Sequence, residues 1–220
     1  MGKSLVIKGA DFSAVAIEKE YEIVNWVKPS SAKQCISTGI TRTNNMRVEV
    51  EFSLDESFVE FNTPGTFWFS KSLAYSEDYT GAVAFCVLKV ADKQSPDFNN
   101  IGAMFGKNEF YWVNNCAVND SNTHVISVDS STITLDGASS RHTESPDVNH
   151  GTIDHIVIMG QKNENNGSQY VKIHSFKIYN GGILTNHYVP VKKKDETVCM
   201  LDKINGVYLY TDDGNNPLFK

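Results

Sequence analysis

The sequence has no long apolar run, and no stretch reaches the about 18 consecutive apolar residues of a membrane-spanning helix. Positive charge is also in deficit, because 20 Lys and Arg stand against 26 Asp and Glu, for a net charge of −6. Nucleic-acid-binding proteins normally present a basic face, so this balance argues against that class. The one basic run, residues 192–194, is followed at once by two acidic residues and is interpreted as a solvated loop. We therefore expect neither nucleic acid nor membrane insertion.

A secretory signal is missing from the first 20 residues, which contain no apolar core of about 7–15 residues followed by a small-residue cleavage site. Two interpretations stay open. Either the protein is made without a signal, which is compatible with cytoplasmic synthesis and assembly into a virion, or Met-Gly stands where a signal was removed.

Cysteine pairs are missing too. Cys35, Cys86, Cys116 and Cys199 are widely scattered, and no Cys-x-x-Cys occurs. Cys86 lies in the apolar run VAFCVL, as a buried free thiol would. We predict that all four are reduced and lie in or near the core, and one long-range disulfide is the alternative.

Catalytic motifs are equally scarce. The sequence has no His-Glu-x-x-His and no Gly-x-Ser-x-Gly, and its Gly-Lys-Ser lacks a preceding strand and glycine loop to cradle a phosphate. Retaining glucanases need two carboxylates about 5 Å apart. The nearest candidates, Glu49 and Glu51, have no Asp between them and lie on the polar side of an alternating strand. We predict that the protein is not an enzyme, and in particular not a glycoside hydrolase.

What the sequence does contain is strands and turns. MRVEVEFSL (46–54) alternates apolar and polar residues, which is typical of a strand with one wet face. GAVAFCVL (81–88) and DHIVIMG (154–160) are nearly continuous apolar runs, as expected of strands inside a two-sheet core. STITLDG (131–137) ends in the hairpin signal Asp-Gly, and clusters of Gly, Asn and Asp separate the runs. The pattern predicts an all-β, two-sheet antiparallel sandwich.

The stretch YVKIHSFKIYNGG (170–182) predicts a strand inside a sheet, because neither of its faces is fully polar. Strict alternation assigns its side chains to two faces: His174, Phe176 and Ile178 on one, and Ile173, Ser175, Lys177 and Tyr179 on the other. The Asn-Gly-Gly that follows is expected to reverse the chain.

This stretch and the later VCMLDKINGVYLYTDDGNNPLF resemble the C-terminal half of concanavalin A-like jelly-roll domains, which are related to laminin-G-like folds and occur in bacterial surface and phage-associated proteins. The matching positions are Ser175, Lys177, Ile178, Tyr179, Tyr188, Val189, Pro190, Leu201, Asp202, Asn205, Gly206, Tyr210 and Thr211. The resemblance covers about residues 34–220 and is strongest after residue 153. It implies a jelly-roll domain at 34–220, after an N-terminal segment at 1–33 of unknown role. A lectin-like or cell-adhesion module is the function it suggests.

Sugar binding usually needs an exposed aromatic platform with amide and carboxylate partners nearby. Two aromatic clusters, TFWFS (66–70) and EFYWVNN (109–115), fit this requirement. The candidate ligand-binding residues are Trp112, Tyr111, Asn114, Asn115, Trp68, Asp78 and Tyr79. For each aromatic residue, a place in the core is the alternative.

Calcium has one weak candidate site. The loop SPDFNN (95–100) offers Asp97 and Asn99, as legume-type lectin loops do, but it lacks a second downstream Asp. A type I turn begun by Pro96-Asp97 is the alternative, and no other cofactor is expected.

These observations predict a non-catalytic module that binds carbohydrate, such as a surface or extracellular polysaccharide. The alternative is a structural or interaction protein, for example a phage virion or tail-associated module that binds another protein. An apolar surface patch above about 600 Å² would favour the alternative.

Overall fold

The computed structural model of the chain describes residues 20–31, 34–60, 65–71, 83–89, 100–105, 111–118, 120–141, 155–161 and 169–217. These residues form two sheets that share one apolar core, so the predicted all-β sandwich is confirmed. The strands are β1 Tyr21–Ile23, β2 Met46–Leu54, β3 Gly65–Lys71, β4 Val83–Lys89, β5 Asn100–Phe105, β6 Tyr111–Ala117, β7 His124–Val128, β8 Thr132–Leu135, β9 Ala138–Arg141, β10 Gly160–Gln161, β11 Val171–Asn180, β12 Ile183–Lys193, β13 Val198–Asp202 and β14 Val207–Leu209. A short helix, α1, spans Glu56–Glu60.

The large sheet has the strand order β14-β13-β12-β11-β2-β7-β8-β9, and β1 pairs with β12. All of its strand pairs are antiparallel. The small sheet has the order β10-β3-β4-β5-β6 and is antiparallel except for the pair of β10 with β3. No helix in the described ranges is long and apolar enough to cross a membrane.

The core lies between the two sheets, where the alternation of β2 directs its apolar side chains. Phe52 of β2 stacks on Phe69 of β3 with ring centroids 4.9 Å apart, and Phe69 in turn stacks on Phe85 of β4 at 5.9 Å. All three side chains are buried. Full burial of such a side chain stabilises the fold by roughly 1.5–3 kcal/mol, so this aromatic stack is a main tie between the sheets.

A β-bulge in β11 corrects the faces assigned from the sequence. Ile173 pairs with Phe52 and Ser175 with Glu51 of β2, so His174 is an extra residue in the ladder. Ile173 therefore belongs to the buried core together with Phe176, and its assignment to the opposite face was wrong. Strict alternation holds only from Ser175 onwards.

The bulged His174 fastens an earlier part of the chain to the sheet. Its Nδ1 lies 2.8 Å from the carbonyl oxygen of Asn25, and its Nε2 lies 2.9 Å from Ser53 Oγ. A carbonyl can only accept, so Nδ1 carries the proton and Nε2 accepts from the hydroxyl. Burial lowers the pKa of His174, in keeping with this neutral ring.

Residues 20–31, the N-terminal strap, fill a gap in the large sheet. Strand β11 pairs with β12 only up to Tyr188, and beyond that point the two strands are bridged by the strap. Residues of β1 pair with the end of β12, while Val27 exchanges two backbone hydrogen bonds of 3.0 and 2.8 Å with Ile173. Residues 20–31 of the predicted 1–33 segment thus belong to the large sheet. Residues 1–19 lie outside the described ranges. The domain boundary at 33/34 stays a prediction.

The structure describes the side chains of three of the four cysteines. Cys35, Cys86 and Cys199 are buried and form no disulfide, as predicted. Burial raises the pKa of Cys199 to about 11, which makes it a poor nucleophile at neutral pH. The side chain of Cys116 lies outside the described part.

The Leu-Asp-x-x-Asn-Gly stretch that carries much of the family resemblance has a structural role. Asp202 is only 2% exposed, and its carboxylate accepts hydrogen bonds from Asn186 Nδ2 (2.7 Å), Asn205 Nδ2 (2.7 Å) and the backbone N–H groups of His187 (3.1 Å) and Ile204 (3.0 Å). Burial raises the pKa of Asp202, but these hydrogen bonds outweigh it and leave the pKa lowered. The ionised carboxylate therefore organises the turn between β13 and β14.

Candidate functional site

A polar cleft of about 400 Å³ lies at one end of the large sheet. It is formed where β2 begins, β7 gives way to β8, and β11 turns into β12. Its walls are Asn44, Asn45, Arg47, Asp129, Ser130, Ser131, Tyr179 and Gly182.

Three turns place these residues, and each follows from local sequence. Asp129 Oδ1 accepts the backbone N–H groups of Ser131 and Thr132, both at 2.8 Å, which is the Asx turn that aspartate favours. Gly181 and Gly182 have φ angles of 57° and 80°, a region that residues with a Cβ rarely adopt. The Gly181 N–H then donates to the carbonyl of Asn45 at 2.9 Å, which ties this turn to the one before β2.

The strand register brings the three turns together. Tyr179 pairs with Arg47 across β11 and β2, and Val48 pairs with Val128 across β2 and β7. Since β2 lies between β11 and β7, their neighbouring ends meet at one edge of the sheet. The cleft is therefore attached to central strands, which hold its side chains more rigidly than a free loop would.

Arg47 is the most distinctive group in the cleft. Its guanidinium carbon lies 4.0 Å from the centre of the Tyr179 ring, and 43% of its side chain is exposed. Its Nη2 is 3.7 Å from Glu49 Oε2, too far for a hydrogen bond. Glu49 instead accepts from Lys177 Nζ at 2.8 Å, and this hydrogen bond raises the pKa of Lys177. Among the described residues, none accepts a hydrogen bond from the Arg47 guanidinium.

The walls of the cleft are polar and carry both hydrogen-bond donors and acceptors. They combine one phenol ring, two amides, two serine hydroxyls, a carboxylate and a guanidinium, and the described lining includes neither His nor Cys. The hydroxyl of Ser131 donates to Asp129 Oδ1 at 3.2 Å, an oxygen that also accepts the backbone N–H groups of Ser131 and Thr132. Within the described ranges, no group of three or more His, Cys, Asp or Glu side chains is arranged to hold a metal ion.

A second cleft, of about 240 Å³, lies beside β1 and the end of β12. Both of its glutamates pair with one lysine, since Lys192 is 3.0 Å from Glu22 and 3.1 Å from Glu196, and Lys193 and Lys194 also line it. It also has a tyrosine, Tyr21, but no amide. The Arg47 cleft is the better candidate because its donors and acceptors are more varied.

A separate polar cluster surrounds His124 at the opposite end of β7. The ring nitrogens Nδ1 and Nε2 lie 2.6 Å from Asp136 Oδ2 and 2.9 Å from Asp120 Oδ1. Burial lowers the pKa of His124, but the hydrogen bonds to Asp136 and Asp120 outweigh it and leave the pKa raised. The ring also lies 5.9 Å from Phe52, so this cluster joins a loop and the β8–β9 turn to the core.

The tryptophans expected from the sequence to bind sugar lie in the small sheet. The register aligns Trp68, Cys86, Gly102 and Trp112 in one row across β3, β4, β5 and β6. The two tryptophan backbones are therefore about 14 Å apart, at about 4.8 Å per strand. Trp112 is half-buried and lies against Gly102, where an added Cβ would be 2.5 Å from Trp112 Cζ3. This contact covers part of the indole, but Trp112 is not among the buried core residues, so neither interpretation of it is decided.

The other sequence candidates cannot be placed at a site. Tyr111, Asn114 and Asn115 belong to β6, and their side chains, like that of Trp68, lie outside the described part. The remaining ligand candidates, Asp78 and Tyr79, and the calcium candidates, Asp97 and Asn99, lie wholly outside it. The predicted ligand and calcium sites therefore stay predictions.

Sequence reasoning did not select the residues of the Arg47 cleft as ligand-binding. Their signal was present as three turn clusters, TNN (43–45), DSS (129–131) and NGG (180–182), each beside a strand. Only the pairing of β11 and β7 with β2 shows that these clusters meet.

Comparison of the chain with models of protein families, with curated proteins and with solved structures finds no match.

Proposed function

We propose that this protein is a non-catalytic module that binds carbohydrate in the Arg47 cleft. The observation that carries the proposal is the lining of the cleft: the Tyr179 ring together with the amides, hydroxyls and carboxylate of three turns. The resemblance of about residues 34–220, strongest after residue 153, to concanavalin A-like domains supports the same proposal.

Sugars present a dense set of hydroxyl groups that both donate and accept hydrogen bonds. The cleft offers acceptors in the carboxylate of Asp129, donors in the guanidinium of Arg47, and groups of both kinds in Asn45 and Ser130. A few such polar groups on a preformed surface fix the orientation of a small ligand.

The test is a glycan and polysaccharide array probed with the wild type and with Ser130→Trp. Ser130 lines the cleft and is half-buried, so an indole at this position should block the cleft while the sheet stays intact. Ser139→Trp, on the exposed edge strand β9, is the matched control. We expect at least a tenfold loss of glycan binding for Ser130→Trp and none for Ser139→Trp, with both variants folded by circular dichroism.

Two further arms separate the competing sites. Trp112→Ala tests the site expected from the sequence, and parallel arrays in calcium and in EDTA test the calcium site. Binding that survives Ser130→Trp but is lost in Trp112→Ala would move the carbohydrate site to the small sheet. If the wild type binds no glycan on a broad array, the proposal of carbohydrate binding itself is overturned.

The alternative, an interaction module that binds another protein, has one observation in its favour. Ile183, beside the cleft, is 70% exposed, and Ile204 and Val207 are about half exposed. Asn205 Nδ2 donates to the carbonyl of Thr185 at 3.1 Å, so the turn after β13 lies next to the start of β12. Replacing Ile183 and Ile204 with serine should then weaken the binding of a protein partner and leave glycan binding unchanged.

A further inference from the structure

We infer that the ligand of the Arg47 cleft is an acidic sugar, whose carboxylate is bound by the Arg47 guanidinium. This inference rests on the proposed function and narrows it from carbohydrates in general to glycans that contain uronic or other sugar acids.

The first step concerns the position of the guanidinium. Arginine stacked on an aromatic ring loses little further freedom when it binds, because its planar group is already oriented. Tyr179 provides that support at 4.0 Å, and the Arg47–Tyr179 backbone pairing fixes both side chains on the same face of adjacent strands.

The second step concerns charge. Glu49 lies two residues from Arg47 on the same strand. Its Oε1 is 2.8 Å from Lys177 Nζ, which compensates its charge, and its Oε2 is 3.7 Å from Arg47 Nη2. No described residue accepts a hydrogen bond from the Arg47 side chain. A guanidinium has five N–H donors in a planar fork that matches both oxygens of a carboxylate. The geometry of Arg47 thus favours a ligand that brings its own planar anion.

The third step concerns Asp129, the one carboxylate in the cleft wall. Its Oδ1 accepts from the Ser131 and Thr132 N–H groups, each at 2.8 Å, and from Ser131 Oγ at 3.2 Å. These donors hold the carboxylate in place within the turn. An acidic sugar would therefore bind with its carboxylate towards Arg47 and its hydroxyls towards Asp129 and Asn45, whereas a simple inorganic anion has no hydroxyls to place there.

The experiment compares matched ligands. Uronic acid oligosaccharides of several linkage types are each paired with the same oligosaccharide after chemical reduction of its carboxylates to primary alcohols. Calorimetric titration of the wild type should give at least tenfold tighter binding for the acidic member, and the difference should shrink as salt is raised. Sulfate and inorganic phosphate are titrated as probes for anion binding without a sugar.

Variants then locate the effect. Arg47→Gln should abolish the preference for the acidic member, and Arg47→Lys should restore only part of it, because an ammonium is a point charge without the planar fork. Lys194→Gln is the matched control, since it removes one positive charge from an exposed position at the far end of β12. It should leave the preference unchanged.

The outcomes are distinguishable. Equal binding of the acidic and reduced members, sensitive to Ser130→Trp, would overturn the inference and leave the proposed function standing. Equal loss in Arg47→Gln and Lys194→Gln would mean that only overall charge matters, which also overturns it. If sulfate or phosphate binds as tightly as the acidic oligosaccharide, the ligand of the cleft is a simple anion and the inference is overturned. Absence of binding to every glycan would overturn both proposals together.

Discussion

The outward faces of the two sheets differ in kind. On the large sheet, the outward side chains of β2 and β11 are polar and half-buried, among them Arg47, Glu49, Lys177 and Tyr179. On the small sheet, the outward positions of β4 and β5 are small or apolar and are buried, namely Ala84, Cys86, Gly102 and Met104. The central strands of the small sheet are thus covered on both faces, whereas the large sheet keeps one face in contact with water.

This difference suggests different roles for the two sheets: the small sheet supports the core, and the large sheet can present side chains to a ligand. A strand buried on both faces carries few groups that can meet a ligand, while a strand with one wet face can carry them without disturbing the core. The Arg47 cleft lies at the end of the wet face, and Trp112 lies against the backbone of a strand whose two faces are covered. If the comparison holds, changes in the small sheet should affect stability first, and changes on the wet face should affect binding first.

The largest effect is expected from a charge on the covered face. Ala84→Asp would place an unpaired carboxylate at a position that is fully buried, and we expect a loss of roughly 4 kcal/mol or more in the free energy of unfolding. Ser139→Asp, at an exposed position of the large sheet, should change it by less than about 0.5 kcal/mol. Urea denaturation measures both. A tolerated Ala84→Asp would show that the outward face of the small sheet is open after all.

The next effect concerns the edge of the small sheet. Gly160 has a φ of 72°, and a Cβ there would lie 1.8 Å from the carbonyl oxygen of Gln34. Gly160→Ala should cost about 3 kcal/mol, since the backbone of residues 34–36 must shift. Gly137→Ala has a similar φ of 84° with no atom within 4 Å, so it isolates the backbone strain at about 1 kcal/mol. Equal thermal midpoints for the two variants would refute the close approach.

A smaller effect tests the packing of Trp112. Gly102→Ala places a methyl group against the indole and should destabilise by about 1–2 kcal/mol. Combination with Trp112→Leu should recover part of that loss, because the clash is between these two residues. A double-mutant cycle by chemical denaturation measures the coupling. Strict additivity would mean that the ring moves away without cost, as expected of an exposed ligand platform.

The smallest effect is a pH dependence in the large sheet. Because the folded pKa of His124 is raised, its contribution to stability is complete below the unfolded pKa of about 6.5 and is lost as the pH rises through the folded value. His174 and His187 have lowered pKa values and act in the opposite direction, with losses as the pH falls. The difference in unfolding free energy between wild type and His124→Gln should therefore shrink as the pH rises above about 6.5. A constant difference would show that Asp120 and Asp136 do not hold a protonated ring.

The fold class followed from the sequence because period-2 alternation and turn chemistry are local properties. MRVEVEFSL predicted one buried face, and Met46, Val48 and Val50 are buried as expected. The continuous apolar run at 81–88 also matches strand β4, which is covered on both faces. Each of these patterns indicates which faces of a single strand are buried, without any knowledge of the neighbouring strands.

The candidate site did not follow, because it depends on which strands are neighbours. A one-residue bulge at His174 reverses the faces of every residue before it, and no pattern in YVKIHSFKIY reveals the extra residue. The pairing of Tyr179 with Arg47 joins residues far apart in the chain, and the sequence contains no signal for that partner. Aromatic clusters drew the prediction to β3 and β6, where Trp112 lies against Gly102, and that site stays a prediction.

The N-terminal strap has a consequence for the order of folding. Asn25 meets His174 at a separation of 149 residues, and β1 pairs with the end of β12 still further along the chain. During synthesis the strap therefore leaves the ribosome well before the two strands that receive it, since 149 residues separate Asn25 from His174. Closure of the large sheet must therefore be a late event dominated by non-local contacts, which predicts slow folding for a protein of this size.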